Sequence, residues 1–220
     1  LALIGNSHAQ MYAPSIIKHL EDKNKKGLLI PMTGCLPTLH LNISEDCNRI
    51  AKNNFETYIN DKKINTIIIG TSWQYKKIFY KDKYIDDPDY MLFGKSLISL
   101  VNKIKKSGKE VYLIGPIQNP TYNLPSELSR KLKFGYISND QLKKELNIDK
   151  TLYDQNFSKV KKLIFDEMGD NFIDLSIKQC DEKYCYLGDK EGLYFADLDH
   201  LSFYGAIYFS DLFKKIFNKN

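Results

Sequence analysis

Leu1-Ala2-Leu3-Ile4-Gly5-Asn6-Ser7-His8-Ala9 decides how this chain is read. Four apolar residues run into a glycine, and a helical pattern follows Asn-Ser-His. That order predicts a buried strand ending in a sharp turn, with Ser7 at the mouth of a helix. Backbone N–H groups are unpaired at such a place and the field favours negative charge. Two readings of Ser7 stand at this point. It is a helix N-cap, for which serine is a preferred residue, or it is a nucleophile held on a turn.

Outward from this stretch, apolar runs alternate with helical patterns. The predicted strands cover about 1–5, 27–32, 65–70, 110–115 and 171–175. The third, Asn65-Thr66-Ile67-Ile68-Ile69-Gly70, is a β-branched run suited to burial on both faces. Helices are predicted over about 8–20 (with Pro14 early in it), 45–59, 91–106, 126–132, 139–146 and 152–168, and over a last stretch to about 217. Ser44 is placed to cap the second, with Ile50, Phe55, Tyr58 and Ile59 facing inward. The charged and aromatic stretch 76–90 reads as a long surface connection. Strands alternating with helices predict one α/β domain over 1–220, a three-layer α/β/α sandwich on a five-stranded parallel sheet. Ligands of such sheets bind outside the carboxyl ends of the strands. Polar residues cluster there: Ser7 after the first strand, Gly34 after the second, Ser72 and Trp73 after the third, and Asp197 and His200 beyond the fifth.

Bulk properties narrow the function classes. The formal charge is +5, yet only Arg49 and Arg130 among the 32 basic residues are arginine. Bidentate phosphate and guanine contacts favour arginine, so a nucleic-acid partner is not expected. No apolar run approaches the length of a membrane span. Residue 1 is not Met and a strand begins at once, so a mature or excised domain with sequence missing upstream is expected. The cysteines pair by proximity as Cys35 with Cys47 and Cys180 with Cys185. Two short-range pairs at loop positions favour disulfides over free thiols, and with them an oxidising compartment. Neither pair has the tight spacing that zinc sites use.

A serine hydroxyl needs a base to remove its proton. The base is usually a histidine held in one tautomer by a carboxylate. His8 adjoins the serine and is expected to point away from it. His19 is expected on a polar helix face, and His40 lies between Cys35 and Cys47. His200 has Asp197 three residues before it and a helix start just after. In a turn, that spacing lets the Asp197 carboxylate fold back onto one imidazole nitrogen, leaving the other to face Ser7. Asp199 is the competing partner, but adjacent side chains seldom face each other. A surface turn capping the last helix is the alternative reading of Asp197-x-x-His200.

Gly5-Asn6-Ser7-His8-Ala9 resembles the first block of the SGNH (GDSL-type) hydrolases, where Gly-Asp-Ser is usual. Asp197-x-x-His200-Leu201-Ser202, followed by Gly205-Ala206, resembles their last block. The chain is most similar to extracytoplasmic SGNH domains fused to multi-pass membrane O-acyltransferases of bacterial surface polysaccharides. Gly34-Cys35-Leu36-Pro37 after the second strand, Trp73 after the third, and Cys180 and Cys185 before the last block carry that similarity. The resemblance implies a flavodoxin-like sheet, with Ser7 as nucleophile, His200 as base and Asp197 as its orienter. It implies an oxyanion hole from the Ser7 N–H, Gly34 and a third-block asparagine. Here Gly70-Thr71-Ser72-Trp73 puts Ser72 in the asparagine's place, so either Ser72 or a backbone N–H serves as the oxyanion donor, or esterase activity is weak. Trp73 has two readings, a core residue, as tryptophan more often is, or a substrate contact that stacks on a sugar ring at a strand's carboxyl end.

The expected activity is O-acyl transfer to, or ester hydrolysis on, a carbohydrate or polysaccharide acceptor. The resemblance also implies that 1–220 is the C-terminal part of a longer membrane protein and lies in the periplasm or cell envelope, tethered to the inner membrane, with the acyl donor handled by a membrane acyltransferase domain of the same chain. No cofactor or metal is implied. A carbohydrate-binding module that keeps the fold without the chemistry is the rival, motivated by Ser72. A nucleotide-binding module ranks below both, because the first turn lacks the glycines that let backbone approach a phosphate.

Overall fold

The computed structural model describes residues 1–218. Five strands form one sheet: β1 Ala2–Gly5, β2 Leu28–Pro31, β3 Thr66–Gly70, β4 Glu110–Ile114 and β5 Phe172–Ile173. Their order is β2-β1-β3-β4-β5 and every pairing is parallel. This is the flavodoxin-like order, with its switch point between β1 and β3. Alternate residues face opposite layers, as a pleated strand requires. Ile67 and Ile69 of β3 join a core with Leu97, Leu100 and Ile104 of one long helix (Tyr90–Lys106) and Phe157 and Ile164 of another (Lys150–Met168). Ile68 between them faces Tyr12 and Ile16, and on that side Phe209 and Phe213 complete the second core. The sheet is therefore covered on both faces, as an all-parallel sheet must be.

Several expected elements differ in detail. The first helix is broken in two, α1 Ser7–Gln10 and α2 Ala13–Asp22, and Pro14 sits in the first turn of α2. Proline lacks the N–H that a continuous helix would need there and is tolerated at a helix start. The helix α3, Glu45–Asn60, is capped by Ser44, whose side chain accepts from the Cys47 N–H. It buries Cys47, Ala51 and Tyr58, whereas Ile50 is exposed. The stretch expected to be a surface connection is a hairpin, Lys77–Tyr80 with Lys83–Asp86, that pairs antiparallel with Leu41–Asn42. Ile78 and Ile85 oppose each other in it, and Ile78 reaches the main core. The last helix is short, α4 Phe203–Tyr208, and continues as a 3₁₀ turn over Phe209–Phe213. Among the described residues no helix is long and apolar enough to cross a membrane.

Both disulfides form in the expected pairing, Cys35–Cys47 and Cys180–Cys185. The first ties the loop after β2 to α3 over a separation of 12 residues, and its sulfurs pack with Met32 and Ala51. The second closes only 5 residues. Chain-entropy reasoning gives about 3 kcal/mol for the first and about 2 kcal/mol for the second. Replacing Cys35 and Cys47 together by serine is therefore expected to lower the urea midpoint more than replacing Cys180 and Cys185.

Candidate active site

The turn after β1 is made possible by backbone contact. Gly5 adopts φ +139, and a Cβ there would lie 1.7 Å from the Gly70 carbonyl oxygen. Gly70 is its register partner on β3, and a Cβ on Gly70 would lie 2.7 Å from the Ala9 Cα. Glycine at both strand ends thus lets α1 sit directly on the sheet. Asn6 is the N-cap of α1. Its Oδ1 accepts from the His8 N–H at 3.0 Å and the Ser72 N–H at 3.2 Å. Its Nδ2 donates to the Tyr75 hydroxyl. Asn6 therefore fastens the β1 turn to the loop after β3, across the switch point. Burial pushes the Tyr75 phenol up to about 12, against smaller opposing effects of its hydroxyl and amide neighbours, so it stays neutral.

Ser7 is the first residue of α1 and is partly exposed. Its Oγ lies 2.8 Å from His200 Nε2. On the other side of the ring, Nδ1 lies 3.0 Å from Asp197 Oδ2 and 3.2 Å from Oδ1. Asp197 Oδ1 also accepts from the backbone N–H of Asp199 at 2.9 Å and of His200 at 2.8 Å. Burial raises the Asp197 carboxyl, but these two amides and the His200 ring outweigh it and hold it below its ordinary value. Carboxylates only accept hydrogen bonds. Nδ1 of a neutral His200 must then carry the proton, leaving Nε2 to accept from the Ser7 hydroxyl. Residues 193 positions apart are brought to hydrogen-bond distance.

The loop carrying Asp197 and His200 is clamped. Phe195 and Leu201 bridge its base, and the Ala196 N–H donates to the His200 carbonyl at 2.8 Å. Ser202 caps α4 by accepting from the Gly205 N–H. Upstream, the Asp189 carboxylate accepts from the Tyr204 and Tyr194 hydroxyls and from the Glu191 and Gly192 amides. Burial raises the Asp189 carboxyl, yet these donors outweigh it and leave it lowered. A carboxylate lowered by folding stabilises the fold above its ordinary range, and that stability is lost as pH falls through the folded value. Asp189→Asn is expected to cost about 1–2 kcal/mol at pH 7. The gap to the wild type should close below the ordinary carboxylate range, as chemical denaturation at several pH values would show.

Other candidates fall differently. Gly34 occupies the turn after β2 with φ +79, as a type II turn requires at its third residue, and the Cys35 N–H closes that turn onto the Met32 carbonyl. α1 meets the same turn through Gln10 Nε2 donating to Thr33 Oγ1. Ser72 does not fit the donor role expected of it. Its N–H is given to Asn6, and its hydroxyl donates to the Gln74 carbonyl and accepts from the Gln74 N–H. Trp73 is also a correction. It is 5% exposed, donates from Nε1 to the Ile114 carbonyl and meets Phe93 edge to face. With its ring buried in the main core, it has no face left for a sugar.

Sequence reasoning weighed His8 and Asp199 and set both aside, and it misplaced His19. His8, expected to point away, is buried, and its ring centroid lies 5.2 Å from that of His200. Asp199 reaches both rings, with Oδ2 3.2 Å from His8 Nε2 and Oδ1 3.1 Å from His200 Nδ1. His19, expected on a polar face, is buried against Ser210. Beside the site runs a groove of about 670 Å³, lined by Tyr75, Tyr90, Asn119 and Thr121 and by Leu198 and Asp199 at the triad end. His8, Asp199 and His200 place ligand atoms within 4.8 Å of one another. Those atoms are engaged in the hydrogen bonds above, so a metal ion would have to displace them.

The description "SGNH domain (fused to AT3 domains)" matches residues 1–215. No curated protein matches the chain. Among solved structures, the lipopolysaccharide acetyltransferase periplasmic domain of Salmonella ser. Paratyphi A is similar at a TM-score of 0.67 and 18% identity, covering 99% of this chain and 82% of that one. At that identity the likeness speaks for the fold. The match over nearly all of the sequence speaks for more: the chain belongs to the family of SGNH domains fused to AT3 domains.

Proposed function

We propose that this domain is a serine-dependent O-acyltransferase or esterase acting on a carbohydrate, with Ser7, His200 and Asp197 as its triad. The observation that carries the reading is the 2.8 Å contact between Ser7 Oγ and His200 Nε2, with Asp197 on the opposite ring nitrogen. Ser7 Oγ attacks the acyl carbonyl carbon while its proton passes to His200 Nε2. Collapse of the tetrahedral adduct breaks the bond to the donor oxygen, which leaves with that proton. The acyl group then rests on Ser7. A sugar hydroxyl, or water, gives its proton to His200 Nε2 and attacks the acyl carbon; the bond from that carbon to Ser7 Oγ then breaks, and Oγ takes the proton back from His200.

The N–H groups of Ser7 and Gly34 are the proposed oxyanion donors. With Ser72 committed elsewhere, one donor fewer than the family pattern faces the oxyanion, a difference typically worth about 10²–10³ in rate. Slow release to water suits a domain that hands acyl groups on. The groove lined by Tyr75, Tyr90, Asn119 and Thr121 is the proposed acceptor site, since aromatic faces and amides together hold sugar rings and their hydroxyls. The family and the acetyltransferase neighbour support acetyl as the group, a bacterial surface polysaccharide as acceptor, and a periplasmic domain served by a membrane acyltransferase in the same polypeptide.

Hydrolysis of p-nitrophenyl acetate by the wild type, lost in Ser7→Ala of unchanged fold, is the expected result. The rival reading is a carbohydrate-binding module without chemistry, favoured by the engagement of Ser72. Equal rates for wild type and Ser7→Ala would decide for it.

A further inference from the structure

The triad reading assigns one carboxylate to His200, but two carboxylates face the same nitrogen. Asp197 Oδ2 lies 3.0 Å from Nδ1 and Asp199 Oδ1 lies 3.1 Å from it. A second acid beside the first is unfavourable unless something holds it there, because like charges repel. What holds Asp199 is His8. Its Nε2 lies 3.2 Å from Asp199 Oδ2, and its side chain is 4% exposed against 43% for the aspartate. A buried donor on a short helix thus fixes an acid that would otherwise swing into solvent. The hydrogen bond from His8 is the first cause holding the Asp199 carboxyl below its ordinary range, opposed by burial and helped by the charge of both rings.

We propose that His8 and Asp199 form a second arm of the site, in which His8 positions Asp199 and Asp199 sets a second negative charge beside the His200 ring, whose Nδ1–H is hydrogen-bonded to Asp197. This inference rests on the triad reading and adds two positioning residues to it. Neither exchanges a proton with substrate. When His200 takes the Ser7 proton it becomes cationic, and two ionised carboxylates then stabilise it. His8 is placed for this by the local fold: its own N–H is held by the Asn6 cap, and Ala9 behind it is pinned on Gly70. The His-Asp-His relay explains why the residue after the nucleophile is a buried polar one.

The test combines kinetics with NMR on the folded domain. His8→Phe keeps a ring and removes the donor, Asp199→Asn keeps the shape and removes the charge, and His8→Gln restores an N–H. With p-nitrophenyl acetate, His8→Phe and Asp199→Asn are each expected to lower kcat about tenfold with KM within twofold. The double variant should lose no more than Asp199→Asn alone, and His8→Gln should recover most of the loss. Independently of turnover, ¹⁵N-edited spectra should show a slowly exchanging low-field His200 Nδ1–H in the wild type that is lost or moves upfield in both single variants. Losses that multiply in the double variant, or a kcat within twofold of wild type for His8→Phe, would overturn the arm while leaving the triad intact. If Ser7→Ala shows that turnover does not depend on the serine, the triad reading fails instead. The Nδ1–H signal then decides the arm, and its indifference to His8→Phe overturns it.

Discussion

His200→Ala is expected to lower ester hydrolysis by about 10⁴-fold or more, with KM changed by no more than a few-fold. The imidazole lies 2.8 Å from Ser7 Oγ and is placed to take its proton, and without it the hydroxyl attacks as a neutral alcohol. Backbone donors around the turn would leave a residual rate. KM is spared because the groove is lined mainly by other residues, Tyr75, Tyr90 and Asn119 among them. Asp197→Asn should lose less than His200→Ala, since Asp199 Oδ1 still faces Nδ1 at 3.1 Å and the amide can still accept from the backbone of the turn. Initial rates with an acetyl ester, measured on variants whose far-UV spectra match the wild type, check both statements.

Gly5→Ala is expected to remove at least about 4 kcal/mol of stability, a loss that only a few mechanisms produce. Two of them act together here. The new Cβ would lie 1.7 Å from a backbone oxygen that cannot turn aside, because Gly70 is paired to Gly5 in the sheet. The φ of +139 is also a conformation that residues with a Cβ rarely adopt. Relief requires β1 to part from β3, which dismantles the switch point and moves Ser7. The melting temperature should fall by roughly 10 °C or more, or the protein should be recovered unfolded. Gly34→Ala at the neighbouring turn should be far milder, since a Cβ there meets nothing within 4 Å and only the φ of +79 resists it.

The contrast between these two glycines shows what a sequence can and cannot disclose. β1, β3, β4 and β5 were legible because burial on both faces writes continuous apolar runs, the edge strand β2 because Leu28-Leu29-Ile30 keeps such a run although it is largely exposed, and their helical partners because they write a 3.6-residue period. The edge hairpin Lys77–Tyr80 and Lys83–Asp86 was not, because its inward face rests on Ile78, Tyr80 and Ile85 alone, and Phe79 and Tyr84 on the other face blur the alternation. The chemistry of Ser7 and His200 was readable from residue type and turn spacing. The fate of Ser72 and Trp73 was not, because it depends on which partner each side chain reaches after folding. Asn6, without an account in the sequence, accepts from the Ser72 N–H and so ties the β1 turn to the loop after β3. His8 illustrates the reverse error. One residue further along a helix turns a side chain by about 100°, which suggests that it leaves the site. The Asp197–His200 loop arrives from that very side and brings Asp199 with it.

The most direct measurement is mass spectrometry of the folded domain after treatment with a fluorophosphonate, which adds to a serine only when a base activates it. A single adduct on the peptide carrying Ser7 is predicted, absent from Ser7→Ala, from His200→Ala and from the unfolded wild type. A folded wild type that takes no label at Ser7, or whose label persists in Ser7→Ala, would contradict the account.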